Sequence, residues 1–312
     1  MNKNIVVLGG GTGQSVLLSG LKKFPVNITA VVSVADDGRN TGKLREQFNI
    51  PAMGDVRRVL IALSETEEFV SELFSYRFKT DSDLNGNNIG NLLLTAMSDI
   101  CGNLSSGVKE ISKILNLKGE VLPLTDDNVV LMGEMEDGTF IEGEHNITLS
   151  PLKIKRVFYK EEPRVNEEVI DKIKKSDAII LSMGSVYTSI IPNLLCDEVI
   201  QAIDSSNAKI IYVCNVMTQP GETDDFKVSD HINLLNSYLG NKKIDVVITN
   251  NGEISHETQM IYETTEQKDL VIIDDDNIKI ENVSKPLIRV ENNVIRHDNL
   301  KLALEIINIL SK

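Results

Sequence analysis

Short runs of β-branched and aliphatic residues recur along the chain, at Ile5–Leu8, Ile28–Val34, Ala178–Leu181, Lys209–Cys214 and Ile244–Thr249. Each has the length and bulk of a strand buried on both faces. Between them lie stretches whose apolar residues repeat at helical spacing. Residues 55–65 carry Val56, Val59, Leu60 and Leu63 on one face, and residues 88–100, 166–175 and 298–310 behave alike. Strands alternating with helices predict an α/β fold, a doubly wound, mostly parallel Rossmann-like sheet covered on both sides. The alternation fails from about Leu117 to Tyr159. There, residues 129–136 and 139–144 flank Asp137-Gly138, a pair suited to the positive φ angles of a type I′ hairpin. Residues 117–159 therefore read as a small β-rich insertion or cap on a single Rossmann-like domain spanning 1–312. Leu270–Ile273 is a further strand candidate.

Each of the five leading strand candidates ends in a loop of glycine, small polar or acidic residues. After the first come Gly9, Gly10, Gly11, Thr12 and Gly13. A strand that stops at consecutive glycines and restarts as a helix presents backbone N–H groups to a phosphate. Gly9 and Gly11 fit the first and third positions of the dinucleotide fingerprint, but Gln14 stands at the sixth, where a glycine lets helix and strand pack closely. No Lys-Ser or Lys-Thr follows, which excludes a P-loop. The second loop is Ala35-Asp36-Asp37-Gly38, the third runs from Ser182 through Gly184, Ser185 and Thr188 to Ser189, the fourth opens on Asn215, and the fifth is Asn250-Asn251-Gly252-Glu253. In an open parallel sheet such loops share one edge, where ligands bind. Asp36 and Asp37 lie about twenty residues beyond the glycines, where a ribose-binding acid belongs. The pair is equally suited to Mg²⁺.

Asn88 fits a helix N-cap, whereas Asn91, one turn further in, has an amide free for a base edge or sugar hydroxyl. Ser185, Thr188 and Ser189 suit either a cap or a phosphate. Asp298 fits the N-cap of the last helix, with Arg296 just ahead of it able to reach a diphosphate. Tyr262 either stacks on a base or packs against the sheet.

Composition narrows these choices. A net charge of −14 argues against a nucleic-acid partner, which needs a basic footprint. Positive charge is concentrated at Arg39, Lys43, Arg45, Arg57 and Arg58, which face only Glu46 and Asp55. Three cysteines and four histidines are scattered without ligand spacing, so no transition metal is expected. No apolar stretch reaches the roughly 18 residues of a membrane span, and the first run is too short for a signal peptide. The expected location is cytoplasmic, with no membrane insertion.

Taken together, GGGTG at 9–13, ADDGRNTGKLR at 35–45, PAMGDVRR at 51–58, GNNIGNLLL at 86–94, SMGSVYTSIIPNLL at 182–195, NVMTQPGETDDF at 215–226 and VIRHD at 294–298 resemble the YvcK family of bacterial gluconeogenesis factors, within the 2-phospho-L-lactate transferase (CofD) superfamily. The resemblance implies a Rossmann-like sheet with a smaller β-containing part, and a role in growth and cell shape on gluconeogenic carbon. It implies binding of UDP-sugars, UDP-N-acetylglucosamine in particular, with Tyr262 and Arg296 at the family's ligand-contacting tyrosine and arginine. From the CofD side it implies Mg²⁺ held by Asp36 or Asp37. The leading expectation is a UDP-sugar-binding regulator linked to cell-wall precursor supply, acting on a protein partner that the sequence does not identify; a homo-oligomer is compatible with it. Two alternatives stand beside it, a Mg²⁺-dependent phosphoryl or nucleotidyl transferase and an NAD-binding oxidoreductase.

Overall fold

The computed structural model describes residues 2–66, 68–291 and 294–312. Its strands are β1 (Asn4–Gly9), β2 (Asn27–Val32), β3 (Glu120–Pro123), β4 (Leu131–Met135), β5 (Phe140–Glu142), β6 (Ile154–Tyr159), β7 (Ala178–Leu181), β8 (Lys209–Val213), β9 (Val246–Asn250), β10 (Glu281–Lys285), β11 (Ile288–Glu291) and β12 (Val294–His297). The α-helices are α1 (Gly11–Leu21), α2 (Arg39–Phe48), α3 (Gly54–Leu63), α4 (Glu68–Ser75), α5 (Ile89–Cys101), α6 (Leu104–Ile114), α7 (Glu144–Leu149), α8 (Glu167–Lys174), α9 (Asp197–Ser205), α10 (Val228–Tyr238), α11 (His256–Ile261) and α12 (Asn299–Ser311).

Seven strands form one sheet in the order β10-β9-β8-β7-β1-β2-β3, parallel throughout. The central runs Ile5–Leu8, Ile179–Leu181 and Ile210–Val213 are almost wholly buried, because helices cover both faces; α1 packs on α3 and α12, and α8 on α9. The chain winds outward one way from β1 to β3, returns to the middle, and winds the other way from β7 to β10. Strand order therefore reverses between β1 and β7, and the crevice beyond their carboxyl ends is where such a sheet accepts a ligand.

The helix N-caps expected at Asn88 and Asp298 are present, Asn88 accepting from the Asn91 N–H at 3.1 Å and Asp298 from those of Leu300 and Lys301 at 3.1 and 3.0 Å. Other expectations are corrected. The segment 117–159 divides: β3 joins the main sheet, parallel to β2, and only β5-β4-β6 form a separate antiparallel sheet. Four residues ending in proline carry little strand signal, and proline is tolerated there because β3 is an edge. The hairpin turn is not type I′. Gly138 has φ +86°, but Asp137 does not share the positive φ, and the Gly138 N–H donates to the Met135 carbonyl at 3.0 Å. This is the three-residue loop with glycine in the left-handed position. Leu270–Ile273 makes only isolated bridges, to Met217 and Lys227. The edge strand is instead β10, whose polar sequence ENVSK shows no hydrophobic run and suits an exposed edge.

Gln14, at the position of the missing fingerprint glycine, is fully buried. Its Nε2 donates to the carbonyls of Val7 and Val31, each at 2.9 Å, so α1 is fastened to β1 and β2 by a side chain. Replacing Gln14 with alanine is expected to lower the unfolding free energy by about 1–3 kcal/mol, read as a lower urea midpoint with an unchanged m-value.

Candidate functional site

The glycine run meets the loop after β7 at backbone contact. A Cβ on Gly9 would lie 2.0 Å from Ser182 Oγ, and one on Gly13 would lie 2.0 Å from the Met183 carbonyl oxygen. Gly10 is the extended N-cap of α1 and supplies no side-chain cap, leaving the first helical N–H groups to other acceptors. Asp55 takes one of them, from Gly11. On the opposite wall, Asn215 clamps Gly184 at two points: the Gly184 N–H donates to Asn215 Oδ1 at 2.9 Å, and Asn215 Nδ2 donates to the Gly184 carbonyl at 2.7 Å.

Two adjoining cavities share Thr12, Gly13, Gly184 and Ser185. One, of about 360 Å³, is also lined by Val216, Met217, Tyr262, Ile295 and Arg296. Tyr262 is buried and its hydroxyl accepts the Ile295 N–H at 2.8 Å. The other, of about 300 Å³, is lined by Gly10, Gly11, Ser33, Asp36, Asp55, Arg58, Glu144, Thr188 and Ser189.

The two cavities thus bring together most of the residues expected from the sequence. Asn91 is the exception among the amides: it is buried in the first turn of α5 and lines neither cavity. Asp36 and Asp37 part company. Asp36 lines the polar cavity and caps the Gly38 N–H at 2.9 Å, while Asp37 Oδ1 accepts the His145 N–H at 2.8 Å at the start of α7. Ser185 is an N-cap, accepting from the Thr188 N–H at 3.0 Å and the Thr188 hydroxyl at 2.7 Å, and donates to Glu222. The fifth loop lines neither of these cavities; Asn250 Oδ1 accepts the N–H groups of Gly252 and Leu287 at 3.1 and 2.9 Å.

The expected concentration of basic groups is only partly realised. Arg45 is buried and donates to the carbonyls of Ala35, Asp36 and Val129 and to Asn128 Oδ1, joining the Asp36 loop to the segment that leads into β4. Arg57 is buried beside Gly90, and Lys43 is exposed. The side chain of Arg39 lies outside the described residues. Arg58 alone of this group lines the site, and it is paired with Asp55 at 2.6 Å.

Three carboxyls that sequence reasoning did not single out define the local chemistry. Burial raises Asp55 to about 6, against the pull of Arg58. Burial also raises Glu144 to about 7, helped by repulsion from Asp36, Asp55 and Asp37. Glu222 is raised to about 7 by burial, despite hydrogen bonds from Ser185 and Gln219. Asp55 and Glu222 sit inside motif strings already noted; Glu144 sits in the β-rich insertion, where nothing marks it. Among the described residues no group of three or more His, Cys, Asp or Glu side chains is arranged to hold a metal ion, and no helix is long and apolar enough to cross a membrane.

The family model of 2-phospho-L-lactate transferase CofD matches residues 5–291. The chain is 43% identical over 305 residues to the gluconeogenesis factor of Halalkalibacterium halodurans, covering 96% of this chain and 94% of that one. It is 44% identical over 312 residues to the gluconeogenesis factor of Bacillus subtilis, with 99% and 98% covered. A crystal structure of a Bacillus halodurans protein superposes with a TM-score of 0.95 at 43% identity, covering 98% of this chain and all 100% of that one. A second crystal structure, of a UPF0052 family member from that organism, gives 0.94 at 42% identity, covering 98% of this chain and 99% of that one.

The three raised carboxyls hold their protons more tightly folded than unfolded, so they cost stability as pH climbs through about 6 and about 7. His231 and His297, lowered by burial to about 4, give the opposite slope, but only below their ordinary value of 6.5. Between pH 6.5 and 8 the carboxyls set the sign. The Tm of the ligand-free protein is expected to fall across that window. Glu144→Gln should raise Tm at pH 8 by roughly 2 °C or more, and by less at pH 5; a flat wild-type profile would contradict the assignment.

Proposed function

This chain belongs to the CofD family, in its gluconeogenesis-factor branch, and from that premise we propose that its crevice binds a nucleoside diphosphate sugar, UDP-N-acetylglucosamine in particular. Through that ligand the protein regulates a partner according to cell-wall precursor supply, which links gluconeogenic growth to cell shape. The observation that carries the reading is the continuity of the two cavities through Thr12, Gly13, Gly184 and Ser185. A diphosphate at that junction meets the start of α1, where the N-cap residue Gly10 has no side chain, Asp55 takes only the Gly11 N–H, and the backbone N–H groups and the helix dipole favour an anion. Arg296 and Tyr262 flank one end, and a guanidinium there adds a planar fork for phosphate oxygens. Gln14 favours this reading over a dinucleotide, since it replaces the glycine of the fingerprint with a fixed side-chain bridge.

Isothermal titration with UDP-N-acetylglucosamine is expected to show one site, and Arg296→Ala to weaken it about tenfold or more. Absence of binding up to millimolar ligand would reject the proposal.

A second reading, a Mg²⁺-dependent phosphoryl or nucleotidyl transferase, draws on the repulsion among Asp36, Asp55 and Glu144. Their oxygens are the hard donors Mg²⁺ takes, and Mg²⁺ is commonly held by one or two carboxylates together with substrate phosphates. Bound there, the ion would neutralise phosphate charge. Asp36 is the protein ligand to test, because Asp37 is engaged at His145. On this reading turnover of a nucleoside diphosphate donor needs Mg²⁺ and is lost in Asp36→Asn; release of no nucleotide product with any acceptor would count against it.

A further inference from the structure

The two cavities differ in what they can accept. The one beside Tyr262 and Arg296 has apolar walls from Val16, Met183, Val216, Met217 and Ile295, which suit the faces of a planar base. The other has no aliphatic or aromatic side chain among the described residues that line it. It is bounded by glycines, hydroxyls, Arg58 and three carboxyls, and Arg58 is already paired with Asp55 at 2.6 Å. An anion there would face Asp36, Asp55 and Glu144 with no uncommitted cation among the described residues that line it, and an apolar group would strand buried acceptors. A neutral group rich in O–H donors satisfies both constraints. A separate observation points the same way: the Ser33 hydroxyl, 4% exposed and lining this cavity, has no hydrogen-bond partner of normal geometry and makes only a weak approach to the Tyr159 hydroxyl, which donates to the Pro192 carbonyl.

We infer that the polar cavity between the glycine run and Glu144 is a sugar subsite, in which Asp36, Asp55 and Glu144 accept hydrogen bonds from the hydroxyls of the sugar ring while the base lies at Tyr262 on the far side of the diphosphate. The inference rests on the proposed nucleoside diphosphate sugar and adds its direction in the crevice. Glu144 is the residue that distinguishes sugars from bare nucleotides, because it descends on the cavity from α7 in the small antiparallel part, whereas Asp55 is held within the main fold by Arg58 and Gly11. A carboxylate accepting from a hydroxyl makes a bond stronger than a neutral pair.

The test is the ratio of affinities for UDP-N-acetylglucosamine and for UDP, measured by titration with the full chain in EDTA, for the wild type, Glu144→Ala and Glu144→Gln. The expected wild-type ratio is about tenfold or more in favour of the sugar. Glu144→Ala should bring it close to one, and Glu144→Gln, which keeps a carbonyl acceptor, should restore much of it. Equal wild-type affinities, an unchanged ratio in Glu144→Ala, or equal ratios in the two variants would each overturn the subsite while leaving nucleotide binding intact. A sugar preference that appears only when Mg²⁺ is added would also overturn it, since the carboxyls would then be serving a cation. Failure of UDP itself to bind would instead reject the reading of the crevice on which the subsite rests.

Discussion

Everything at this site depends on how closely the backbone after β1 approaches the backbone after β7. A methyl group at Gly13 would lie 2.0 Å from the Met183 carbonyl oxygen, so no other residue fits there without moving a loop, and one at Gly9 would lie 2.0 Å from Ser182 Oγ and force that side chain aside. That contact brings the two halves of the sheet together at the reversal of strand order, at an α1 N-terminus whose own N-cap residue has no side chain and where Asp55 takes the Gly11 N–H. The glycines therefore serve two ends at once. They admit the opposing loop, and they place no side chain of their own over the N–H groups that an anion would use.

Gln14 shows how this variant of the fold differs from a dinucleotide-binding one. Close packing of helix on strand usually asks for a third glycine. Here a long side chain is buried instead, and it is tolerated because its amide nitrogen donates to two strand carbonyls at 2.9 Å. The position is fixed by hydrogen bonds, where a glycine would fix it by absence of bulk.

Most of the sheet was legible because strands buried on both faces are necessarily runs of bulky apolar residues, and β1, β7 and β8 are of that kind. β3 and β10 were not, for the opposite reason: an edge strand has one exposed backbone side and tolerates Pro123 or the polar run from Glu281. The site divides in the same way. Glycines and Asn215 act through the backbone conformation and turn contacts that sequence motifs record. Glu144 acts through tertiary placement alone, since residues 131–159 must fold back on the crevice before its carboxyl meets Asp36 and Asp55. No local pattern carries that information. Asp36 and Asp37 illustrate the limit: adjacent acids look equivalent in sequence, yet one lines a cavity and the other holds the His145 amide.

The placement of charge follows from the same geometry. A protein carrying −14 would need to gather side-chain cations around a phosphate, but Arg45 and Arg57 are spent on carbonyls and packing, and Arg58 on Asp55. Among the described residues, what remains at the junction is the polarity of the backbone, with Arg296 and the Glu266-paired Lys268 on one flank and three carboxyls on the other. Backbone dipoles act over about one helical turn, so attraction for an anion is confined to the junction and gives way to repulsion within the polar cavity. A field that changes sign over so short a distance favours a ligand whose own character changes in step, a planar base, then a dianionic bridge, then a neutral hydroxylated ring. It disfavours inorganic phosphates and bare nucleotides that place their terminal charge against Asp36, Asp55 and Glu144. On the proposed reading, selection for the conjugate over its anionic fragments would come from burying carboxyls and not from adding cations, in keeping with so acidic a chain.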